Sequence, residues 1–418
     1  MAKGTSDKMR HPAAPGRKKA AKRAGTPRSG EENGTVLVTG AAGFNGSTAV
    51  DLLTEKGCSV IATDLENSDF RYVRERKKYI EENHKRFGGV KLEIIPADLA
   101  KKESLRALFK KKRVRYLFHP AAVFNLSAPW KHLYNVNVMG TKNLLDVAMD
   151  AGEPPDATIV WSTAMVYGRP RVKGLIAETH PKNPMNHYAR SKWEQELMAL
   201  SYVEKGLRVA ALRPAAVYGP RSAYGLAKGF VPMSWSFAFP VVPIPGSGEH
   251  IAHYVHVDDI VGAALHLAER MRSPRSGING ESFNVADDRP GTTKDSMVRV
   301  ARALHVRPPF LKMPMLMVLA FGKLMPHGVR LPLYNVEKDE IPYMFFDNRF
   351  DNSKLKATGY EFKYPDPETG MYATLKWYAR NGQLPPIWYV THPGWKNYWK
   401  DAPKGPTPYA DYALTADS

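Results

Sequence analysis

The chain has 418 residues and a formal net charge of +19, and 43% of its residues are hydrophobic. This composition predicts a soluble globular protein of two or three structural units, or one interleaved enzyme with two lobes, because a domain takes about 150 residues. Cys58 is the only cysteine, which excludes an intramolecular disulfide and a cysteine-based metal cluster and suits a reducing compartment. The positive charge favours anionic partners such as nucleotides, phosphates or acidic lipid surfaces.

Residues 1–34 carry many lysines and arginines among Ala, Gly, Pro and Ser, with few large apolar side chains. Such a segment cannot bury enough surface to order itself, so we predict a disordered basic tail. It lacks the apolar run of a secretory signal, and no charge-free run of about 18 apolar residues occurs in the chain. We therefore expect a cytoplasmic protein, and membrane association stays open. We expect no contact with nucleic acid except through this basic tail.

Short apolar runs alternate with amphipathic stretches between residues 35 and 213. The runs predict strands and the stretches predict helices. The predicted strands are residues 35–39, 59–63, 91–96, 115–119, 158–162 and 207–213, and the predicted helices run from the first glycine-rich turn to Gly57 and over 71–86, 104–110, 136–149 and 186–204. This alternation indicates an α/β fold, a doubly wound parallel sheet covered by helices on both faces.

The texture changes beyond Pro214, where Pro, Gly and aromatic residues become frequent. A strand and helix return at 251–270, and another strand follows at 282–285. The predicted organisation is a disordered tail (1–34), a Rossmann-type NAD-binding domain (35–220, with 251–290 returning to it), a smaller substrate-binding lobe (221–250 and 291–382) and an irregular C-terminal strap and tail (383–418). The lobe should lie over the C-terminal ends of the strands, where ligands of open α/β sheets bind.

Gly40, Gly43 and Gly46 lie three residues apart, directly after the first predicted strand and before the first helix. Glycine suits such a turn because the backbone must approach a pyrophosphate closely, and the helix N-terminus then offers free N–H groups. Asp64 ends the second strand, where a carboxylate accepts both hydroxyls of an adenosine ribose and repels a 2′-phosphate. The pattern predicts a dinucleotide site that prefers NAD to NADP, with Arg71 as a complicating cation. A plain glycine-rich turn and a plain polar strand end are the alternatives.

Tyr188 and Lys192 lie four residues apart on the predicted helix 186–204, and hence on one face of it. A tyrosine titrates near pH ~10, and a nearby ammonium group stabilises its phenolate, which brings the phenol toward the range of a general acid or base. Taken alone, the same spacing also describes a solvated surface pair.

Together with the glycine turn, the Tyr188/Lys192 pair resembles the extended short-chain dehydrogenase/reductases, which include sugar-nucleotide epimerases and 3β-hydroxysteroid dehydrogenases. The resemblance covers roughly residues 35–380 and leans to the 3β-hydroxysteroid dehydrogenase-like branch. Further matches follow in the order of that family: Asp98-Leu99, His119-Pro120-Ala121-Ala122, Asn137 before Gly140-Thr141, Ser162-Thr163 before Tyr167-Gly168, Leu212-Arg213-Pro214, Val217-Tyr218-Gly219-Pro220 and Val255-His256-Val257-Asp258-Asp259.

The resemblance implies a role for each matching residue. Tyr188 would move the proton of the substrate oxygen, and Lys192 would hold the nicotinamide ribose and lower the pKa of the phenol. Thr163 would hydrogen-bond the substrate oxygen, with Ser162 as the neighbouring candidate. The residues implied to bind NAD are Gly40, Ala42, Gly43, Phe44, Asn45, Gly46, Asp64, Asp98, Leu99, Ala121, Ala122, Asn137, Tyr188, Lys192 and Pro214. The family also implies a homodimer that pairs through the helix of Tyr188.

Two further clusters carry competing interpretations. His250, His253 and His256 lie near Asp258 in the sequence, but on a strand His253 would face away from the other two, so we predict no metal site. Asp258 is instead predicted to be the N-cap of the following helix. The apolar stretch 310–325 contains Met313, Met315, Met317 and Met325, and core packing competes equally there with an apolar pocket wall or a peripheral membrane contact.

The substrate side departs from the sugar-nucleotide members of the family. Ala252 stands where they carry an arginine that clamps a diphosphate, with His253 beside it as a partial substitute. Aromatic residues predict an apolar pocket wall: Phe230, Trp235, Phe237 and Phe239. We therefore expect an NAD-dependent oxidoreductase that interconverts a secondary alcohol and a ketone on a small, hydrophobic, sterol- or isoprenoid-like molecule. The alternatives are a nucleotide-sugar epimerase or dehydratase with tightly bound NAD, and a non-catalytic NAD-binding scaffold.

Overall fold

The computed structural model describes residues 34–110, 113–170, 172, 174–222, 233–234, 242–306, 310–314, 316–317 and 338–400. Several predictions fall outside these residues, namely those for the tail up to residue 33, for residues 401–418, and for Phe230, Trp235, Phe237, Phe239, Met315 and Met325. Within the described ranges, no helix is both long and apolar enough to cross a membrane.

The strands of the described chain divide into one large sheet and three small ones. They are β1 (Thr35–Thr39), β2 (Ser59–Thr63), β3 (Leu92–Ile94), β4 (Val114–His119), β5 (Ala157–Trp161), β6 (Val209–Pro214), β7 (Ala216–Tyr218), β8 (Val242–Pro245), β9 (Ile251–Ala252), β10 (Tyr254–His256), β11 (Ser282–Val285), β12 (Gly291–Thr292) and β13 (Phe310–Met313). The small sheets pair β10 with β7, β12 with β9 and β13 with β8.

The large sheet has seven parallel strands in the order β11-β6-β5-β4-β1-β2-β3. β1 pairs with both β2 and β4, so the strand order reverses beside it, and ligands of doubly wound sheets bind at such a switch point. The predicted α/β class and Rossmann-type sheet are confirmed. β11 joins the sheet at its edge, whereas the predicted domain boundaries stay predictions.

The α-helices of the described chain are α1 (Phe44–Glu55), α2 (Arg71–Glu82), α3 (His84–Phe87), α4 (Lys102–Arg106), α5 (Trp130–Leu133), α6 (Gly140–Met149), α7 (His187–Leu200), α8 (Val257–Arg270), α9 (Thr293–Ala303), α10 (Ser353–Ala357), α11 (Pro367–Arg380) and α12 (Pro386–Thr391). A π-helical turn, Tyr134–Met139, leads into α6, and short 3₁₀ helices occupy Ala164–Tyr167, Ser201–Val203, Pro274–Ser276, Lys338–Phe345 and Trp395–Asn397. Helices thus follow most strands of the large sheet, as the alternation predicts.

Alternating side chains of each strand build a core on both faces of the large sheet. In β1, Val36 and Val38 point to the face covered by α1 and α8, and Leu37 points to the face covered by α4 and α6. A strand buried on both faces reads as a continuous apolar run, and this explains why the first strand is visible in the sequence. The helices are fixed to the sheet by these two cores, and the turns between them are held at its C-terminal edge.

A third cluster lies under the C-terminal segment and backs the substrate side. It joins Tyr218 and Tyr254 to α9, α11 and the strap, where Trp388 is fully buried. The prediction of an irregular strap is wrong for residues 386–391, which form α12, and for residues 395–397, which form a 3₁₀ helix. Pro386 and the apolar residues after it allow a short helix, because proline is tolerated in the first turn and the aromatic side chains find a core to bury against.

Two predicted helix starts differ from the structure. The N-cap of α8 is His256, whose Nδ1 accepts the N–H of Asp258 at 3.2 Å, so the prediction of an Asp258 cap is wrong. Asp258 lies in the first turn instead, where its carboxylate accepts the Lys363 ammonium at 2.6 Å. The helix predicted at 104–110 is α4 and spans Lys102–Arg106. By contrast, α7 begins where predicted, because the Asn186 side chain accepts the Ala189 N–H at 2.7 Å.

Candidate active site

A cavity of about 1010 Å³ opens at the C-terminal edge of the large sheet. The last residues of four strands line it, namely Thr39, Thr63, Trp161 and Pro214. Most of the predicted site residues line it together: Gly40, Gly43, Phe44, Asn45, Gly46, Asp64, Asp98, Leu99, Ala121, Ala122, Thr163, Tyr188, Lys192 and Pro214. Ala42 and Asn137 do not line it.

The glycine turn leaves no room for side chains. A Cβ on Gly46 would lie 2.0 Å from the carbonyl oxygen of Gly40, and a Cβ on Gly40 would lie 2.8 Å from Cα of Ala121. Gly40 also has a φ of +60°, which favours glycine. The N-cap of α1 is Gly43, which supplies no capping side chain, and the first turn holds no acidic residue. The N-terminal N–H groups of α1 are therefore open to an anion, and this fits a pyrophosphate.

Asp64 is held firmly at the end of β2. Its Oδ2 accepts the Ala42 N–H at 3.1 Å, and its Oδ1 accepts the Leu65 N–H at 2.8 Å and the Ser68 hydroxyl at 2.9 Å. Because a carboxylate has about four acceptor positions, one stays available for a ribose hydroxyl. Ala42 thus orients Asp64 through its backbone. Arg71 pairs with Asp69 at 2.9 Å and does not line this cavity, and its role as a complicating cation stays a prediction.

Tyr188 and Lys192 meet at the cavity wall on the first two turns of α7. Tyr188 is 6% exposed and Lys192 is 2% exposed, which excludes the solvated surface pair. Phe124 packs edge-on against the Tyr188 ring with the centroids 4.9 Å apart. Burial lowers the pKa of Lys192 to about 7, against an opposing contribution from the Glu196 carboxylate. The ammonium of Lys192 is thus poorly hydrated, and a bound anion or phenolate would interact with it strongly.

Thr163 and Ser162 follow β5 and line the cavity opposite α7. The Thr163 Oγ1 accepts the Met165 N–H at 3.2 Å, so its own O–H can be donated to a substrate oxygen. Ser162 is 5% exposed, and its Oγ is buried without a hydrogen-bond partner, whereas Thr163 is half-buried. Of the two predicted candidates, the geometry therefore favours Thr163.

Asn137 supports the site from behind. Its amide donates to the Ser191 Oγ at 2.9 Å on α7, and its Oδ1 accepts the Val123 N–H at 2.8 Å in the loop after β4. The side chain is fully buried between these partners and does not line the cavity, and its predicted contact with the cofactor stays a prediction. The same sequence motif is compatible with an asparagine that binds the cofactor and with one that holds α7 in place, so the spacing alone does not distinguish the two roles.

His119 forms part of the floor beneath the site. Its Nδ1 lies 2.7 Å from the Thr39 Oγ1, and its Nε2 lies 2.8 Å from the Thr141 Oγ1. Burial, followed by repulsion from Lys192, lowers the pKa of His119 to about 3, so the ring is neutral at pH 7. A neutral ring adds no positive charge beneath the site, and Lys192 is the one lysine or arginine among the described residues that line the cavity.

The substrate half of the cavity has mostly apolar walls. Sequence reasoning missed most of these residues, which come from separate segments and share no motif: Phe124, Val136, Met165, Ile251, Tyr254, Met297, Tyr343, Met344, Phe346 and Phe350. Met313 also lines it, in agreement with the pocket-wall interpretation of the Met-rich stretch. Across the described lining of the whole cavity, Lys192 is the only lysine and no arginine occurs.

His253 does not substitute for the arginine that Ala252 replaces. Its Nδ1 accepts the Phe350 N–H at 3.0 Å, and its Nε2 lies 2.8 Å from the carbonyl oxygen of Asp287. The imidazole also stacks on the Phe350 ring, with the centroids 6.0 Å apart. Both nitrogens are therefore committed to the protein. The described residues include no group of three or more His, Cys, Asp or Glu side chains that could hold a metal ion.

Residues 36–286 match the model of the NAD dependent epimerase/dehydratase family. The chain belongs to this family. The match begins in β1 and ends just after β11, so it spans the whole large sheet. Membership confirms the prediction of an extended short-chain dehydrogenase/reductase and of an NAD-dependent enzyme. NAD, the predicted cofactor, is the one that the family's description names.

The relatives of this chain have different substrates. This chain is 33% identical over 276 residues to UDP-glucose 4-epimerase of Mycolicibacterium smegmatis. The aligned region covers 64% of this chain and 82% of the relative. This chain is also 24% identical over 282 residues to the Mus musculus protein named "Sterol-4-alpha-carboxylate 3-dehydrogenase, decarboxylating". That aligned region covers 66% of this chain and 70% of the relative. A solved UDP-glucose 4-epimerase of Thermotoga maritima with UDP-glucose has a TM-score of 0.62 at 25% identity, over 82% of this chain and 98% of that one.

Proposed function

We propose that the chain is an NAD-dependent oxidoreductase that interconverts a secondary alcohol and a ketone on a hydrophobic substrate of the sterol or isoprenoid type. The observation that carries this proposal is the composition of the substrate half, where Met, Phe and Tyr side chains form much of the described wall beside a few polar residues such as Thr293 and Asn348. A pocket of this kind stabilises a ligand mainly by burying its apolar surface, at roughly 25 cal/mol per Å².

Electrostatics argues in the same direction. A nucleotide sugar carries a diphosphate, and burying that charge without a partner costs several kcal/mol. The described lining contains one lysine, Lys192, which lies at the other half with Tyr188, and two histidines. The imidazole of His253 is already bonded on both nitrogens, which leaves His132 as the second histidine. An apolar alcohol needs no such cation.

The side chains divide the work of the reaction. Bound NAD would supply the hydride acceptor. In the oxidation direction, the Tyr188 phenolate accepts the hydroxyl proton of the substrate, and the Thr163 hydroxyl donates a hydrogen bond to the same oxygen. Lys192, as a poorly hydrated cation, stabilises the phenolate and donates to the ribose hydroxyls. Asp64 and the N-terminus of α1 hold the adenosine ribose and the pyrophosphate.

A second candidate, a nucleotide-sugar epimerase or dehydratase, is favoured by the 33% identity to the Mycolicibacterium smegmatis enzyme. Tyr188 and Thr163 would then move the proton of a sugar hydroxyl and hydrogen-bond its oxygen, and bound NAD would supply the transient hydride acceptor. A third reading, a non-catalytic NAD-binding scaffold, has no use for a buried Tyr/Lys pair.

A substrate screen distinguishes these functions. The full chain with NAD is incubated with a 3-hydroxysterol, an isoprenoid alcohol and UDP-glucose, and both NADH absorbance and product mass are recorded. We expect NADH and a ketone from a lipidic alcohol. Conversion of UDP-glucose without net NADH would replace the proposal with the second candidate. NAD binding without turnover of any compound would support the scaffold.

Tyr188→Phe tests the acid/base assignment. Positioned proton transfer contributes about 10² to 10⁴-fold, so we expect turnover to fall at least that far while the Kd for NAD changes by less than about twofold. Tyr202→Phe is the matched control, because Tyr202 is equally buried but bonds to Asp146 and the Lys142 carbonyl away from the cavity. Full activity of Tyr188→Phe would remove Tyr188 from the mechanism.

Exposed apolar side chains suggest how the protein assembles and what surface it contacts. We propose a homodimer through α7, where Leu197 is 48% exposed, and a monomeric mass by light scattering would contradict it.

We also propose a peripheral membrane contact through Leu311, Leu316 and Met317. These side chains are 55%, 78% and 55% exposed and are close in sequence to Met313, which lines the cavity. Failure to float with anionic vesicles would refute that contact.

A further inference from the structure

One buried arginine joins three segments of the site. Arg213, the residue before the last of β6, donates from Nε and Nη2 to the Glu196 carboxylate on α7, at 3.1 Å and 2.6 Å. Its Nη1 donates to the Tyr167 hydroxyl at 2.9 Å and to the Glu178 carbonyl at 3.1 Å. The Tyr167 hydroxyl in turn donates to the Asn284 Oδ1 at 2.7 Å on β11. We call this set the Arg213 cluster.

Each arm of the Arg213 cluster lies next to a residue of the active site. Arg213 directly precedes Pro214, which lines the cavity. Glu196 follows Lys192 by four residues, which is about one turn of α7. Tyr167 follows Thr163 by four residues and ends the 3₁₀ helix that Thr163 caps. None of the three arms itself lines the cavity.

We infer that Arg213 is a positioning residue for the reaction, because it fixes Thr163, the Tyr188/Lys192 helix and Pro214 relative to one another. The inference rests on the proposed roles of Tyr188, Lys192 and Thr163. A misplacement of about 1 Å in such a constellation can cost about 10²-fold in rate, so a rigid joint between separate segments has catalytic value.

Only the guanidinium group can make this joint. Its planar fork donates to the two Glu196 oxygens on one side and to Tyr167 and the Glu178 carbonyl on the other, and all of these groups are in a low-dielectric interior. A lysine at this position has a single compact ammonium that keeps the charge but does not span both sides. The buried pair also sets the field at Lys192, because the Glu196 carboxylate raises the pKa that burial lowers.

Arg213→Lys is the first test. It retains the positive charge opposite Glu196 and removes the fork. We expect kcat to fall about 10- to 100-fold with the alcohol that the screen identifies, while KM and the Kd for NAD stay within about threefold, because the hydrogen bonds of Arg213 go to Glu196, Tyr167 and Glu178 and not to the glycine turn or Asp64. An unchanged kcat in a folded variant would overturn the inference. A parallel loss of NAD binding would also overturn it, since the arginine would then support the fold as a whole.

Tyr167→Phe is a milder test that keeps the ion pair. It deletes the hydroxyl that links Arg213 to the Thr163 segment, and we expect kcat to fall about 3- to 10-fold. The control is again Tyr202→Phe, which deletes one buried hydroxyl at the far end of α7 and should change kcat by less than about twofold. Equal effects of the two variants on kcat would mean that any buried hydroxyl matters equally, and that result would refute positioning through the cluster.

The proposed function and this inference fail differently. If Tyr188→Phe is inactive and both Arg213→Lys and Tyr167→Phe keep full kcat, the inference alone is refuted. If Tyr188→Phe keeps full activity, the proposed function is refuted, and with it the reason for positioning α7. Thermal unfolding of each variant shows whether a fall in kcat reflects a smaller folded fraction.

Discussion

The two halves of the cavity are built in different ways. The cofactor half consists of turns that directly follow strands of one sheet, such as the glycine turn after β1 and Asp64 after β2. The substrate half is assembled from distant segments, 251–254, 293–297 and 343–350, which short two-stranded sheets and ring stacking hold together. The first half is local in sequence and the second is not.

This difference follows from what each half is proposed to recognise. A pyrophosphate needs backbone N–H groups at close range, and only a few residue types permit that geometry, so the requirement appears as a motif. An apolar substrate needs shape and the absence of charge, and many residue combinations provide both. The sequence therefore indicates the substrate half mainly through a residue that is missing, because Ala252 stands where the sugar-nucleotide members carry an arginine.

Gly46→Ala breaks the cofactor half and has the largest expected effect. The new Cβ would lie 2.0 Å from the Gly40 carbonyl oxygen, so the turn must open and the N-terminus of α1 must move. We expect the Kd for NAD, measured by quenching of tryptophan fluorescence, to rise by more than about 100-fold, which is about 2.7 kcal/mol.

Gly394→Ala is the matched control for that change. No atom lies within 4 Å of the Cβ that it adds, and the backbone is not in the positive-φ region, so NAD binding should stay as in the original chain. Unchanged NAD affinity in Gly46→Ala would show that the turn does not hold the pyrophosphate.

Ala252→Arg alters the substrate half alone. It places a charge among apolar walls at the edge of β9, where no described carboxylate of the substrate half faces it. We expect kcat/KM for a lipidic alcohol to fall about 10- to 100-fold, because an unpaired charge must be desolvated, while the Kd for NAD stays within about twofold. Ala107→Arg adds the same charge at an exposed site as a control. Unchanged kcat/KM would mean that Ala252 does not face the substrate.

The sequence was most informative where one residue type meets a backbone requirement. The first two strands and β11 were predicted with the observed bounds, and Asn186 marks the start of α7 because its side chain caps the helix. Most of the candidate site was predicted because its residues follow those elements. The residue type alone did not predict the N-cap of α8. Aspartate is generally the better N-cap, but the helix begins at Val257, one residue before Asp258, so that His256 occupies the cap position and accepts the Asp258 N–H.

Partners that lie far apart in the chain were also beyond sequence reasoning. Asn137 turns to Ser191 and away from the cavity, and His253 turns to Phe350 and Asp287, because the tertiary fold brings those partners within hydrogen-bond distance. The aromatic strap forms α12 because the tertiary fold provides a hydrophobic cluster in which Trp388 is buried. Composition predicts such residues to be buried or polar, but it does not name their partners.

Lys192→Met probes the junction between the two halves through stability, with the smallest expected effect. In the folded protein, burial lowers the pKa of Lys192 from 10.5 to about 7. Between these values the unfolded chain binds a proton at Lys192 that the folded chain does not, so the free energy of unfolding rises with pH from about 7 to 10.5. Below about pH 7 both states carry the proton, and this dependence ends. From pH 7 to pH 8 the cofactor-free protein should gain about 1 kcal/mol from this residue, and Lys192→Met should lack that gain. Urea denaturation of both proteins at the two pH values measures it. An equal gain in both would show that Lys192 is solvated, and the junction would then not hold a poorly hydrated cation beside Tyr188.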